Sequence, residues 1–132
     1  MRFLVALIII SCVFLAQGQS TSLYKDLKPS KDYENIYVQK IAEDSLQSSF
    51  IIWVKKEVKE HYHAEHTENI YVLSGRGQMT VGDSSYNIKK GDFITVLKGE
   101  RHSVVKVHGR RPLKVLSIQS PRFDGADRIF VK

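Results

Sequence analysis

From residue 35 to residue 119 the chain breaks into short strand-like runs, most of them closed by a turn signal. That rhythm limits the fold more than any other feature of the sequence. The runs are NIYVQKI (35–41), SFIIWV (49–54), EVKEHYH (57–63), NIYVLS (69–74), GQMTV (77–81), SYNI (85–88), FITVL (93–97), HSVVKV (102–107) and LKVLSIQ (113–119). SGRG, GDSS, KKGD, KGE and HGRRP supply the turns. No long stretch after residue 34 carries a 3.6-residue apolar period, and there is no internal repeat or low-complexity tract. Evenly spaced short strands argue for an all-β sandwich or barrel in a single small domain. The end, SPRFDGADRIFVK, opens on a Pro turn and closes on a short apolar run, so it is expected to pack back as a last small element.

The first twenty residues, MRFLVALIIISCVFLAQGQS, follow a different rule. A basic start at Arg2, an apolar run from Phe3 to Ala16 and small residues at Ala16 and Gly18 make the three-part pattern of a secretory signal peptide. The run has 14 residues, too few to span a bilayer comfortably, and the alternative is a short anchor that stays attached. The expected organisation is a signal peptide over 1–18, a polar arm over 19–34 and one folded domain over 35–132, with a secreted, extracellular product and no membrane partner after cleavage. Cleavage removes the only cysteine, Cys12, and lowers the formal charge from +6 to +5 with Arg2. A secreted domain without a disulfide must rely on its core. The positive charge lies in short pairs far apart in sequence, Lys55–Lys56, Lys89–Lys90 and Arg110–Arg111. A solvated surface is expected, with no nucleic-acid partner.

The chemistry concentrates in EHYHAEHTENIYVLSG, residues 60–75. His61 and His63 are two apart, so on a strand both imidazoles face one side and can converge on a single ion. The parity of Ile52 and Val54 would put the pair on the wrong side. The break at Lys55–Glu57 is therefore read as a turn or bulge that resets the register. After AEHT comes Glu68, which lies across from the His pair if its strand is the antiparallel neighbour, with Ile70 and Val72 as apolar wall on the same face. Further on, GDFITVLKGERH places His102 just after a tight turn at the start of a strand. His66 sits in the loop and is expected to be exposed, the alternatives being a ligand in place of Glu68 or a gate. Glu60 and Glu65 read as loop charges or partners for an imidazole N–H. Phe50, Trp53, Tyr71 and Phe93 read most simply as core.

His61-x-His63-x4-Glu68-x6-Gly75 resembles the first motif of the cupins, and Gly91-x5-Leu97-x-Gly99-x2-His102 resembles the second, with a short segment between them as in small single-domain cupins. The resemblance covers about residues 35–131. It implies an antiparallel double-stranded β-helix, the jelly-roll cupin barrel. Inside it one divalent transition metal would be held by His61, His63, Glu68 and His102, with iron or manganese favoured and nickel, copper or zinc as alternatives. Three places depart from the family pattern: Lys55 stands where a glycine is usual, Leu97 where a proline is usual, and Lys106 where an asparagine is usual. Lys106 shares the parity of His102 and Val104. Its ammonium has two destinations, the barrel mouth, where it would meet an anionic substrate group, or solvent along its own stem.

The function implied is metal-dependent oxygenation, oxidation or isomerisation of a small oxygen-rich organic molecule. The alternative is a non-catalytic metal- or ligand-binding module, since no separate nucleophile or triad is recognisable. A germin-like oxalate oxidase is a narrower reading, against which the mature chain lacks the usual cysteine pair. Small cupins commonly pair, which makes the arm a candidate dimer contact.

Overall fold

The computed structural model describes residues 24–132. The signal-peptide reading over 1–18 and the first part of the arm fall outside the described residues. A turn of 3-10 helix (Tyr24–Asp26) precedes ten strands: β1 (Ile36–Glu43), β2 (Ser48–Val54), β3 (Val58–Tyr62), β4 (Thr67–Ser74), β5 (Arg76–Val81), β6 (Ser84–Lys89), β7 (Phe93–Val96), β8 (His102–Val107), β9 (Leu113–Ser120) and β10 (Ile129–Phe130). They form two antiparallel five-stranded sheets, ordered β1-β2-β9-β4-β7 and β10-β3-β8-β5-β6. Every run read from the sequence is a strand, and the tail returns as β10, paired with β3 through Ile129–Tyr62 and Phe130–His61.

Strict alternation builds the inner core. On β9, Leu113, Val115, Ser117 and Gln119 point inward while Lys114, Leu116 and Ile118 point outward. The inward apolar residues join Val54, Ile70, Val72, Met79 and Val104 between the sheets. β2 is apolar on both faces because both are covered: Val54 lies inside, and Ile51 and Trp53 pack outside with Leu73, Leu27, Tyr33 and Tyr37. The described part of the arm thus lies on its own sheet, where Lys114 Nζ donates to the Tyr24 and Leu27 carbonyls at 2.7 and 3.1 Å. That cover ends before β7, an edge strand, so Tyr71 and Phe93 are exposed rather than core.

Two of the register shifts decide which side chains face inward near the site. On β3 the register shifts between Val58, opposite Val104, and His61, opposite His102. This is the expected parity reset, displaced from Lys55–Glu57 into the strand itself, and Lys55–Glu57 carries the chain from one sheet to the other. On β8 the residues opposite Gln78 and Met79 are Lys106 and Val104, so Val105 is the extra residue. The bulge turns Val107 inward and sends Lys106 out to solvent.

Tertiary structure also gathers charge that is dispersed in sequence. The β4–β5, β6–β7 and β8–β9 turns meet at one end of the barrel, where Arg76, Lys89, Lys90, Arg110 and Arg111 line a single groove with His108. None of these five cations forms an ion pair among the described residues. Gly75 makes the crossing there: its φ is +82°, and a Cβ would lie 2.5 Å from the Pro112 carbonyl oxygen.

Leu113 is 1% exposed at the centre of the inner core, whereas Leu46, in the β1–β2 turn, is 73% exposed. Leu113→Ala is expected to cost roughly 2–5 kcal/mol in urea unfolding, and Leu46→Ala to stay within about 0.5 kcal/mol. Equal losses at the two positions would contradict this core.

Candidate metal centre

The candidate centre lies at the barrel end opposite the basic groove, where β3 finishes, β4 and β8 begin and β9 reaches Ser117 and Gln119. His61 and His63 come from β3 and the turn after it, and His102 from the start of β8. Gly99, at φ +76°, makes the tight turn before β8. Its N–H donates to the His63 carbonyl at 2.7 Å, tying the two motifs together. In the same turn Leu97 N–H donates to Glu100 Oε2 at 2.8 Å, a bond that a proline at position 97 would not make.

All three histidines are buried, and each offers a ring nitrogen within 4.8 Å of the other two. Their orientation comes from the backbone. Nδ1 of His61 donates to the Lys59 carbonyl at 2.8 Å, that of His63 to the Asp127 carbonyl at 2.5 Å, and that of His102 to the Glu100 carbonyl at 3.2 Å. With the proton held on Nδ1, each Nε2 carries a lone pair into the site. His63 Nε2 and His102 Nε2 are buried and lack a hydrogen-bond partner. Such orphans are costly inside a protein unless something binds them, and lone pairs aimed at one point are what a divalent ion requires. The residues present therefore fit a metal.

Glu68 reaches the same point from the other sheet. β3 and β4 are not paired, so the antiparallel pairing that would have put Glu68 across from the His pair does not occur: Glu68 stands opposite Val96 and Gln119 within its own sheet and faces the histidines across the barrel. Its Oε2 lies 3.2 Å from His102 Nε2 and 3.4 Å from His63 Nε2, close but not aligned as hydrogen bonds. Its Oε1 accepts from the Ser117 hydroxyl and, at 3.4 Å, from Gln119 Nε2. Burial would raise the Glu68 carboxyl, but His102 and His63, once their rings are protonated, and the Ser117 hydroxyl outweigh it and hold the group well below the usual carboxylate range.

Ser117 and Gln119 went unnoticed in sequence. Their signal was two polar residues at the buried parity of an otherwise apolar strand. Asp127 was missed as well. Its carboxylate accepts from Ala64 N–H and Glu65 N–H at 2.9 and 2.8 Å and pairs with His66 Nδ1 at 2.5 Å, while its carbonyl orients His63. Burial would raise this carboxyl, and the donors from His66, Glu65 and Ala64 lower it to about 2. His66 is consequently 7% exposed, contrary to its loop reading. It spans Asp127 and the Arg122 carbonyl and packs edge-on against Phe123, so it braces the turn and does not point at the other three rings. Glu60 and Glu65 side chains orient none of the imidazoles; backbone carbonyls do that instead.

The three imidazoles differ in basicity. Burial, reinforced by the neighbouring His102, lowers His61 to about 4. For His63 burial acts in the same direction, but the Glu68 carboxylate and the Asp127 carbonyl prevail and raise it. Because His61 takes its proton later in the folded than in the unfolded state, its contribution to stability is complete above the ordinary value of 6.5 and is lost as pH falls toward about 4. In metal-free protein, nitrogen NMR is expected to show the His61 ring neutral at pH 5, and protonation near 6.5 would contradict its burial. Asp127→Ala frees the 63–66 turn and is expected to weaken metal binding about 10- to 100-fold in a chelator competition. Unchanged affinity would show that the turn needs no such brace.

A cavity of about 60 Å³ opens beside the centre, walled by Ile52, Val54, Ile70, Val104, Leu113 and Val115. Its polar side chains are His61, Glu68, His102, Ser103 and Arg128.

Comparison with known proteins gives this geometry a family. An uncharacterized protein of Aquifex aeolicus is 33% identical over 99 residues, covering 75% of this chain and 80% of that protein. One from Methanocaldococcus jannaschii is 32% identical over 96 residues, covering 72% and 73%. Among solved structures, KdgF from Halomonas sp. superposes with a TM-score of 0.68 at 16% identity, over 81% of this chain and 97% of that one. The nucleoside dehydratase Pac13, also solved from Streptomyces with uridine, gives 0.65 at 17%, over 87% and 92%. These structural likenesses show the double-sheet barrel alone. The cupin-domain family matches residues 49–119, from β2 to β9 and through all four residues of the site, and the chain belongs to the cupins.

Proposed function

We propose that this cupin holds one divalent transition-metal ion on His61, His63, His102 and Glu68, and acts outside the cell on a small oxygen-rich organic molecule by oxidation, oxygenation or isomerisation. The observation that carries the reading is the set of three Nδ1–carbonyl hydrogen bonds, which leaves three Nε2 lone pairs converging in a buried site. Glu68 adds a hard anionic oxygen, and the resemblance to metal-bearing cupins favours iron or manganese. The export-signal pattern of residues 1–18 supports an extracellular setting. That Pac13 is a nucleoside dehydratase solved with uridine supports a small molecule as the occupant of this barrel type.

An ion in this position supplies Lewis acidity and a template for substrate oxygens. The chain's own contributions are separate. Ser117 and Gln119 hold one oxygen of Glu68 and leave the other facing the imidazoles. The Asp127–His66 clasp keeps His63 in place. The apolar wall excludes water from one side of any bound molecule.

A second reading, a binding module without turnover, draws on one observation. Of the polar side chains lining the cavity, Ser103 is occupied with Thr80 at 2.7 Å, and His61, Glu68 and His102 belong to the ligand set. Only Arg128 is left, and a guanidinium does not serve as a general base.

Elemental analysis of protein from its native secretion is expected to find about one equivalent of transition metal per chain, reduced to background in the His61→Ala/His63→Ala variant. Retention of metal by that variant would refute the site. Oxygen uptake or product formation against small acids, sugars and phenols, abolished by a chelator and restored by the ion, would establish the enzyme. Metal binding without any turnover would favour the module.

A further inference from the structure

We propose that Arg128 is an anion-recognition residue, and that the cavity takes a small organic carboxylate whose charged end lies on the Arg128 guanidinium and whose apolar end lies on the Val54–Val104–Leu113 wall. The inference names a ligand class for the site described above, and it does not require that a metal be bound.

Arg128 lies between Asp127, which clasps the 63–66 turn, and β10, which pairs with β3. Its side chain lines the cavity with His61, Glu68 and His102. Yet it makes no ion pair among the described residues, and its Nε is buried with no hydrogen-bond partner. Glu68 makes no ion pair with it, and Glu68 Oε1 is taken by Ser117 and Gln119. The guanidinium thus keeps a buried N–H without a partner and makes no ion pair among the described residues. Its planar fork matches the two oxygens of a carboxylate.

The surroundings narrow the ligand further. Apart from Arg128, Ser103 and the metal-site residues, the lining is aliphatic, with Ile36 and Val38 of edge strand β1 half-open to solvent. A cavity of about 60 Å³ suits a compact molecule. Such a wall favours a short branched or aromatic acid over a strongly hydrated phosphate. Lys106, the other cation considered for this task, faces solvent on the far side of the β8 bulge, which leaves Arg128 as the cavity's only lysine or arginine among the described residues.

The test is calorimetric titration of the full chain, as purified and again after chelator treatment, with isobutyrate, isobutyramide and inorganic phosphate. Isobutyrate is expected to bind chelator-treated protein at least tenfold more tightly than the amide or phosphate. Arg128→Gln should lose at least tenfold of that affinity, and Arg128→Lys should keep part of it. Metal content and thermal midpoint are expected to be unchanged in both variants. Equal binding of acid and amide, equal or tighter binding of phosphate, or full isobutyrate affinity in Arg128→Gln would each overturn the proposal. The acid–amide comparison needs only the unaltered chain, so it decides even if a variant fails to fold. Loss of metal in the His61→Ala/His63→Ala protein reports separately on the centre. Either reading can therefore fail while the other stands.

Discussion

The Glu68 carboxylate is withdrawn from water between the two sheets, among three imidazoles that are also buried. Leaving a buried charge without partners costs about 3–5 kcal/mol, a large fraction of what a domain of this size has in reserve. The barrel meets that demand from several directions. β9 places Ser117 and Gln119 against one oxygen, while the turn after β3 and the start of β8 bring His63 and His102 close to the other. Each imidazole is anchored in turn by a backbone carbonyl from a turn, a bulged strand or the tail. The two sheets, the β3 bulge and the return of the C-terminal segment are all needed for one polar cluster to exist inside an aliphatic core.

That cluster divides the molecule into two ends of opposite chemistry. One carries imidazoles, a carboxylate and the Asp127 clasp, with the aliphatic cavity leading from it. The other carries Arg76, Lys89, Lys90, Arg110 and Arg111 on three adjoining turns. The separation follows from strand length. β4 runs from Thr67 beside the site to Ser74 beside the basic turns, at about 3.3 Å per residue. The basic groove therefore lies too far away to act directly at the centre, and the positive charge available to a ligand in the cavity comes from Arg128.

Much of this was legible in the chain. Apolar runs and turn residues located β1 to β9 and a last small element in the tail, because side-chain period and turn chemistry are local properties. His61 and His63 were readable as a pair for the same reason. Lys106 was expected in solvent despite sharing the parity of inward residues, and the Val105 bulge is what puts it there. Three features were not legible. His66 looked like an exposed loop residue because its partner, Asp127, lies 61 residues away. Tyr71 and Phe93 looked like core because β-propensity does not say which sheet face is covered. The lysine and arginine pairs looked scattered because turns distant in sequence meet only when the barrel closes.

The amino-acid sequence by itself determined the strands, their boundaries to within a few residues, and four side chains as candidates for a metal site. These depend on period, spacing and ligand chemistry, all of which act over a few residues. Only the tertiary structure decided that Glu68 meets the histidines from the opposite sheet, that backbone carbonyls direct their Nε2 atoms inward, and that Arg128 is left unpaired at the cavity. The physical reason is that sheet pairing, bulge position and the path of the tail are settled by which surfaces can be buried together. That is a property of the closed barrel and not of any one segment.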